Sequence, residues 1–293
     1  GLMPFFTVII PTYNRAHIIG ETINSVINQS FQDFELLIID DGSTDDTHAT
    51  IAAYTDNRIK YIHQENGERG KARNTGVKNA KGKYVFFLDS DDLIYPQHLQ
   101  LAFDKLNDLN LPAFFHSRYE LLNNGEKKQV PSLSAWNIKR RIEKQNLFAC
   151  QFFLDRTVAL EFPFSENREL KIGEDWLLVL QIAQNHELHI SKKVTSAIVA
   201  HGERTMEMAS TETILTSKDI MVAELRKNHQ IEAGIIRNVQ AELLTLAALS
   251  ASMENKKKMA FKLWIKGILS RPNQILRRRT LAIFKKILIN GKA

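Results

Sequence analysis

Three short apolar runs, Phe5 to Ile10 (FFTVII), Phe34 to Asp40 (FELLIID) and Lys83 to Asp89 (KYVFFLD), most constrain what this chain can fold into. They read as buried strands, and helix-patterned sequence separates them. A more polar run, Arg58 to His63, adds a further strand, with helices expected over Ile18 to Ile27 and Lys71 to Ala80. Another helix should follow Asp41-Gly42-Ser43-Thr44, capped by Ser43 or Thr44 and with Asp45 and Asp46 in its first turn. The first strand should stop at Pro11. Strand, helix and strand repeated in this way imply an α/β fold, a mainly parallel sheet with helices on both faces. From about residue 111 the pattern changes: PAFFHSRYELL and a turn at Asn123-Asn124-Gly125 predict a hairpin and a mixed second half. Gly173-Glu174-Asp175-Trp176 introduces a helix over 174–185, and beyond 205 the chain is helical, first polar and then amphipathic and basic.

The Tyr84 to Leu88 run delivers three carboxylates, Asp89, Asp91 and Asp92, to one strand end. Carboxylates this close disfavour one another's ionisation unless a cation or donors hold them, so a divalent ion is the economical explanation. The carboxyl ends of parallel strands are also where open α/β sheets bind ligands. The alternatives are a solvated acidic loop or an Asp cap on the helix beginning near Pro96.

With 293 residues the chain fits one large or two modest domains. Its single cysteine, Cys150, excludes an internal disulfide and cannot alone build a zinc site, so a reducing, cytoplasmic setting is expected. No stretch approaches the ~20 apolar residues of a membrane span, and the N-terminus lacks a signal peptide's basic and apolar regions. The net charge of +6 is uneven. Residues 255–293 hold 12 Lys and Arg and no Asp or Glu, which leaves −6 for residues 1–254.

Five segments carry a family resemblance: Val8 to Arg15 (VIIPTYNR), Leu36 to Thr47 (LLIIDDGSTDDT), Asn66-Gly67 with Ala72 to Gly76 (ARNTG), Phe87 to Asp92 (FLDSDD), and Gly173 to Trp176 (GEDW). In this order the chain resembles the family 2 glycosyltransferases of the GT-A fold. That resemblance implies a GT-A domain over 1–205, with a nucleotide-binding half (1–110) and an acceptor half (111–205), followed by a helical, basic, amphipathic extension over 206–293. It implies inverting transfer of a sugar from a nucleotide diphosphate, with a UDP-sugar favoured, to a glycan or lipid-linked acceptor in polysaccharide and cell-envelope biosynthesis.

Residue by residue, the resemblance implies that Pro11, Thr12 and Tyr13 form the nucleotide pocket, Tyr13 offering a flat face to the base. Asp41 would accept a hydrogen bond from a uracil or thymine N–H, and Arg73 would sit beside the base or diphosphate. Asp89 and Asp91 match the DxD positions, contacting ribose and a Mn²⁺ or Mg²⁺ ion, with Asp92 and His201 as further candidate ligands. Asp175 is the candidate general base, Glu174 lies beside it, and Trp176 would shape the sugar pocket.

Other classes fit less well. A dehalogenase-type phosphatase needs its first Asp after the first strand, whereas here three αβ units come first. A nicotinamide-dependent dehydrogenase needs G-x-G-x-x-G after the first strand, and Pro11 to Arg15 contains no glycine. The closer rival is a GT-A-like protein that binds nucleotide sugar or carbohydrate without turnover. In the tail, Ile275, Leu276, Ile283, Phe284, Ile287 and Leu288 alternate with basic residues. This apolar stripe either packs on the body or lies on an anionic membrane, giving peripheral association at its inner face. Nucleic acid is not expected, because aromatic residues are sparse there. Pro272 should split the tail into two short helices.

Overall fold

The computed structural model describes residues 3–130, 133–200, 209–276 and 278–289. Contacts divide the chain into two compact units, one of residues 1–138, 148–166 and 185–201, the other of residues 139–147, 167–184 and 202–293. Every described strand belongs to the first unit.

In that unit the strands β1 (Phe6–Thr12), β2 (Phe34–Asp40), β3 (Ile59–His63) and β4 (Tyr84–Phe87) pair in parallel in the order β3-β2-β1-β4. Beyond β4 the sheet becomes mixed. It continues through β8 (Phe153–Asp155), β6 (Phe114–Asn123), β9 (Leu188–Val199) and β5 (Leu93–Ile94), while β7 (Glu126–Gln129) forms the expected hairpin with β6. Of these later pairings β6 with β9 is parallel; β4 with β8, β8 with β6, and β9 with β5 are antiparallel.

The period of two in β1 assigns its faces. Phe6, Val8 and Ile10 join Leu36, Ile38 and Phe86 in a core completed by α1 (Ile19–Ile27) through Ile19, Ile23 and Val26, and by α4 (His98–Asp108) through Leu99, Ala102 and Leu106. Ile9 points the other way, to α3 (Glu68–Asn79), where a Cβ on Gly76 would lie 2.4 Å from Ile9 Cγ2. A helix this close to its sheet accepts only glycine at that position. The smaller helices α2 (Thr47–Ala52) and α6 (Arg156–Glu161) complete the helical layers.

Two local expectations are corrected. The first strand runs through Pro11 to Thr12. Thr12 O accepts from Asp41 N on the β2 side, so the neighbouring Pro11 nitrogen faces β4, whose pairing with β1 ends at Ile9. The missing N–H therefore costs no ladder bond. Neither Ser43 nor Thr44 caps α2. Ser43 Oγ accepts from Asn14 N at 2.9 Å, Asn14 Oδ1 accepts from Thr44 N at 2.8 Å, and Asp45 Oδ1 accepts from Thr47 N at 3.0 Å. The polar turn is spent on tying the loop after β2 to the loop after β1.

The second unit is helical: α5 (Ile138–Ile142, entering from the first unit), α7 (Glu174–Asn185), α8 (Thr211–Lys227), α9 (Ala233–Met253), α10 (Lys257–Ser270) and α11 (Arg278–Ile289). A 3-10 turn over Pro272–Leu276 separates α10 from α11, as the proline predicts. Ser210 caps α8 by accepting from Thr213 N. No helix among the described residues is long and apolar enough to cross a membrane.

Candidate active site

The carboxyl ends of β1, β2 and β4 bring together most of the residues singled out in the first half of the chain. At β1, Thr12 is buried and its hydroxyl takes no hydrogen bond among the described residues, while the Tyr13 ring is about half exposed (47%). An unmet buried hydroxyl beside an exposed ring is what a ligand-binding edge retains and a packing edge does not.

At β2 the two aspartates have different surroundings. Asp40 accepts from Ser43 N at 2.8 Å and from the Tyr61 hydroxyl at 2.6 Å. Burial opposes its ionisation, but those hydrogen bonds and nearby His63 outweigh it and hold the carboxyl below the usual range. Asp41 uses one oxygen, Oδ1, to accept from Gln64 Nε2 at 2.6 Å and from Gly67 N at 2.9 Å. Thr75 Oγ1 donates in turn to Gln64 Oε1 at 2.6 Å. No hydrogen bond to Asp41 Oδ2 occurs among the described residues, so this orientated carboxylate keeps an acceptor for a ligand N–H.

Beyond β4, Asp89, Asp91 and Asp92 each offer an oxygen within 4.8 Å of the others. Arg73, almost wholly buried on α3, donates to Asp89 Oδ1 at 2.7 Å, and its guanidinium lies 5.2 Å from the Phe164 ring centroid. Arg73 therefore meets an aspartate of the cluster, which places it at the acidic end of the site. Asp92 is buried. Its Oδ2 accepts from Gln151 Nε2 and its Oδ1 from Val199 N, both at 3.1 Å, and Gln151 Oε1 accepts from Ser196 Oγ at 2.5 Å. The donor set is hard oxygen with two carboxylates partly open to solvent. This suits Mg²⁺ or Mn²⁺, whose remaining positions phosphates and water fill, and not a soft metal.

Glu174, Asp175 and Trp176 lie in the helical unit. Gly173, at φ +84°, turns the chain into α7; a side chain there would be strained and would also meet Met221 Sδ at 2.7 Å. Glu174 and Asp175 open the helix and are buried. Both Asp175 oxygens lie 3.0 Å from Asn146 Nδ2, and Oδ1 also accepts from Trp176 N at 2.8 Å. Trp176 is 2% exposed, and its Nε1 donates to Ile142 O at 2.6 Å. The indole thus packs inside its unit and fixes the turn that carries Asp175. His201 lies outside the described residues.

Sequence reasoning did not find Gln64, Gln151, Asn146 or the link from Asn74 to Phe164 O and Glu166 Oε1 at 3.0 and 2.9 Å. Each is a single amide reaching across a long sequence separation, and no local pattern marks such a residue.

Comparison with known proteins gives the family and the fold. An uncharacterised glycosyltransferase of Rickettsia conorii is 35% identical over 204 residues, 68% of this chain and 33% of that protein. The chain thus spans about a third of the length of the first Rickettsia relatives. The UDP-Glc:α-D-GlcNAc-diphosphoundecaprenol β-1,3-glucosyltransferase WfgD of Escherichia coli is 32% identical over 182 residues, 60% of this chain and 69% of that protein. Among solved structures, Staphylococcus aureus TarS (residues 1–349, with UDP-GlcNAc) has a TM-score of 0.64 at 20% identity, covering 93% of each chain. The Pyrobaculum calidifontis mannosyltransferase PcManGT, solved with GDP-Man and Mn²⁺, has a TM-score of 0.62 at 17% identity, covering 99% of this chain and 89% of its own. These two show a shared fold. The family model for glycosyl transferase family 2 matches residues 7–160. Over the strands and loops that carry the carboxylate cluster, the chain belongs to glycosyl transferase family 2.

Proposed function

We propose that the chain transfers a sugar from a UDP-sugar to a glycan or lipid-linked acceptor, by single displacement with inversion. The observation that carries this is the Asp89, Asp91 and Asp92 cluster at the carboxyl edge of the sheet, with Arg73 paired to Asp89. A divalent ion held there by Asp91 and Asp89 would neutralise charge growing on the departing diphosphate. On the protein's side, Tyr13 would cover one face of the base. Asp41, held by Gln64 and Gly67, would accept the uracil N–H. Asp175, held by Asn146 and Trp176 N, would take the proton of the attacking hydroxyl. WfgD supports the donor and acceptor classes, since its name carries UDP-Glc, a diphosphate-linked lipid acceptor and a β linkage. PcManGT supports the ion. For location we propose the cytoplasmic side of a membrane, the contact being made by the basic C-terminal segment.

Isothermal calorimetry of UDP binding with Mn²⁺ and with excess chelator, followed by NMR of the transfer product, tests this reading. Mn²⁺-dependent binding and, from an α-linked donor, a β-linked product are expected. Equal UDP affinity in chelator would remove the metal site, and a retained configuration would remove single displacement. Donor binding without turnover on any acceptor panel would favour the non-catalytic binder instead.

A further inference from the structure

The structure redraws the apolar stripe expected in the basic tail. Ile283 is fully buried, and Phe284 packs edge-on against Trp264 with ring centroids 4.8 Å apart. Trp264 Nε1 also reaches Thr280 Oγ1 at 3.3 Å. Arg279 ties α11 to α9 through Glu242 Oε1 at 3.0 Å. That side of the hairpin formed by α10 and α11 is internal packing of the helical unit.

A different apolar surface faces solvent. Phe261, Ile265 and Leu269 recur every four residues along the outside of α10, at 46, 37 and 77% exposure. Ile275 and Leu276 in the turn and Leu281 on α11 are exposed as well, at 50, 86 and 72%. Lys258, Lys262 and Lys266 repeat at the same interval on α10 and are exposed, as are Arg278, Lys285 and Lys286 on α11. None of these six forms an ion pair among the described residues, whereas Lys256 and Arg279 are paired with Glu254 and Glu242. Apolar side chains this exposed are costly at a water-facing surface, and spacing of three to four residues keeps both kinds of side chain on one flank.

We propose that this flank is a docking surface for an anionic lipid bilayer. Leu269, Ile275, Leu276 and Leu281 enter the headgroup boundary, and the unpaired lysines and Arg278 face lipid phosphates. Charge selects the occupant: residues 255–293 carry no acidic side chain, so a second copy of the same surface would bring like charges together. An anionic bilayer instead supplies counter-charge and an apolar interior together. This deepens the location given above, and it is tested without donor, acceptor or turnover.

The experiment is sedimentation of the full chain with phosphatidylcholine vesicles, with and without phosphatidylglycerol. Binding only to the anionic vesicles, weakened by salt, is expected. Each Lys→Gln change at Lys262 or Lys266 should weaken partitioning by about fivefold. L269S/L276S/L281S should weaken it by at least about tenfold, since several buried apolar groups are lost. All five side chains considered for change are exposed, and unchanged far-UV dichroism with an unchanged urea midpoint will show that the variants fold. Absence of wild-type binding to anionic vesicles, equal binding to neutral ones, or an unaffected triple-serine variant would overturn the proposal. So would a lipid-free, concentration-dependent dimer that the same substitutions abolish, which would assign the surface to self-association.

Discussion

The strand-bearing unit and the helical unit each fix acidic side chains, by different means. In the first, a strand aims three carboxylates at one place and partners remote in sequence keep them there: Arg73, Gln151 and Val199 come from a helix, a loop and the far strand β9. In the second, Asp175 sits in the first turn of a helix and is held by the next residue's own N–H and by one amide, Asn146. A cluster built by sheet topology is suited to a fixed charge that must not move. A carboxylate held by a helix end and one side chain is suited to a group that must gain and lose a proton.

Four measurements can break or sharpen this contrast. The largest effect is expected from Asp175→Asn, which keeps the shape and removes the proton affinity: transfer should fall by ~10²–10⁴-fold. UDP affinity should stay within a factor of about two, the difference being far below the tenfold that 1.4 kcal/mol represents. Near wild-type turnover would end the base assignment. Next, Asp91→Ala should reduce Mn²⁺-dependent UDP affinity by roughly thirtyfold or more, the scale of removing one partner from a desolvated charged group. Calorimetry showing wild-type affinity would dissolve the contrast from the other side.

Smaller is the effect of Asn146→Ala. Losing the amide that holds Asp175 in place should lower the kcat plateau about tenfold while UDP affinity stays unchanged. Unchanged turnover would make Asn146 a packing residue.

A separate effect, on stability and not on activity, belongs to the first unit alone. Burial pushes the His98 imidazole down to about 3, with His116 contributing, and burial pushes His116 down to about 4. Both are neutral in the fold and take a proton on unfolding below their ordinary value of about 6.5. Stability should therefore be unaffected by them above that pH. As pH falls from about 6.5 towards 4 it should decline, by up to about 1.4 kcal/mol per pH unit for each histidine. H98Q/H116Q should flatten urea midpoints across that window. An unchanged slope in the double variant would show that these histidines do not set the acid limb.

The fold was legible in sequence where one strand could be read by itself. β2 matches its expected limits, Phe34 to Asp40, because every residue in it is buried and Leu36 to Ile39 form an unbroken apolar run. The Asn123 to Gly125 hairpin and the α7 boundaries, 174 and 185, were legible through turn residues and an uninterrupted apolar pattern. The end of β1 was misread because a proline in a strand looks like a stop, and only the neighbouring strand's length shows that its missing N–H is harmless. The DGSTDD turn resembled a capping sequence, but its side chains serve the loop after β1, a pairing that exists only once β1 and β2 lie side by side. The carboxylates themselves announced the site; Gln64, Gln151 and Asn146, which orient them, did not. Amides are frequent in loops, and nothing local distinguishes one that reaches across the sheet.

The bond from Val199 N to Asp92 has a consequence in time. It spans 107 residues and extends the pairing of β5 with β9, so it forms only once β9 has docked. A chain emerging from the ribosome therefore displays its complete acidic strand end long before that end is clamped. The closure of so long a segment belongs among the slow, late events of folding. An intermediate that has built β1 to β4 but lacks β9 would pair Asp89 with Arg73 yet leave Asp92 without its bond from Val199 N. In such a species affinity for a divalent ion would appear only as the last strand docks, so ion-dependent protection of Val199 N against hydrogen exchange would serve as a clock for the final step of assembly.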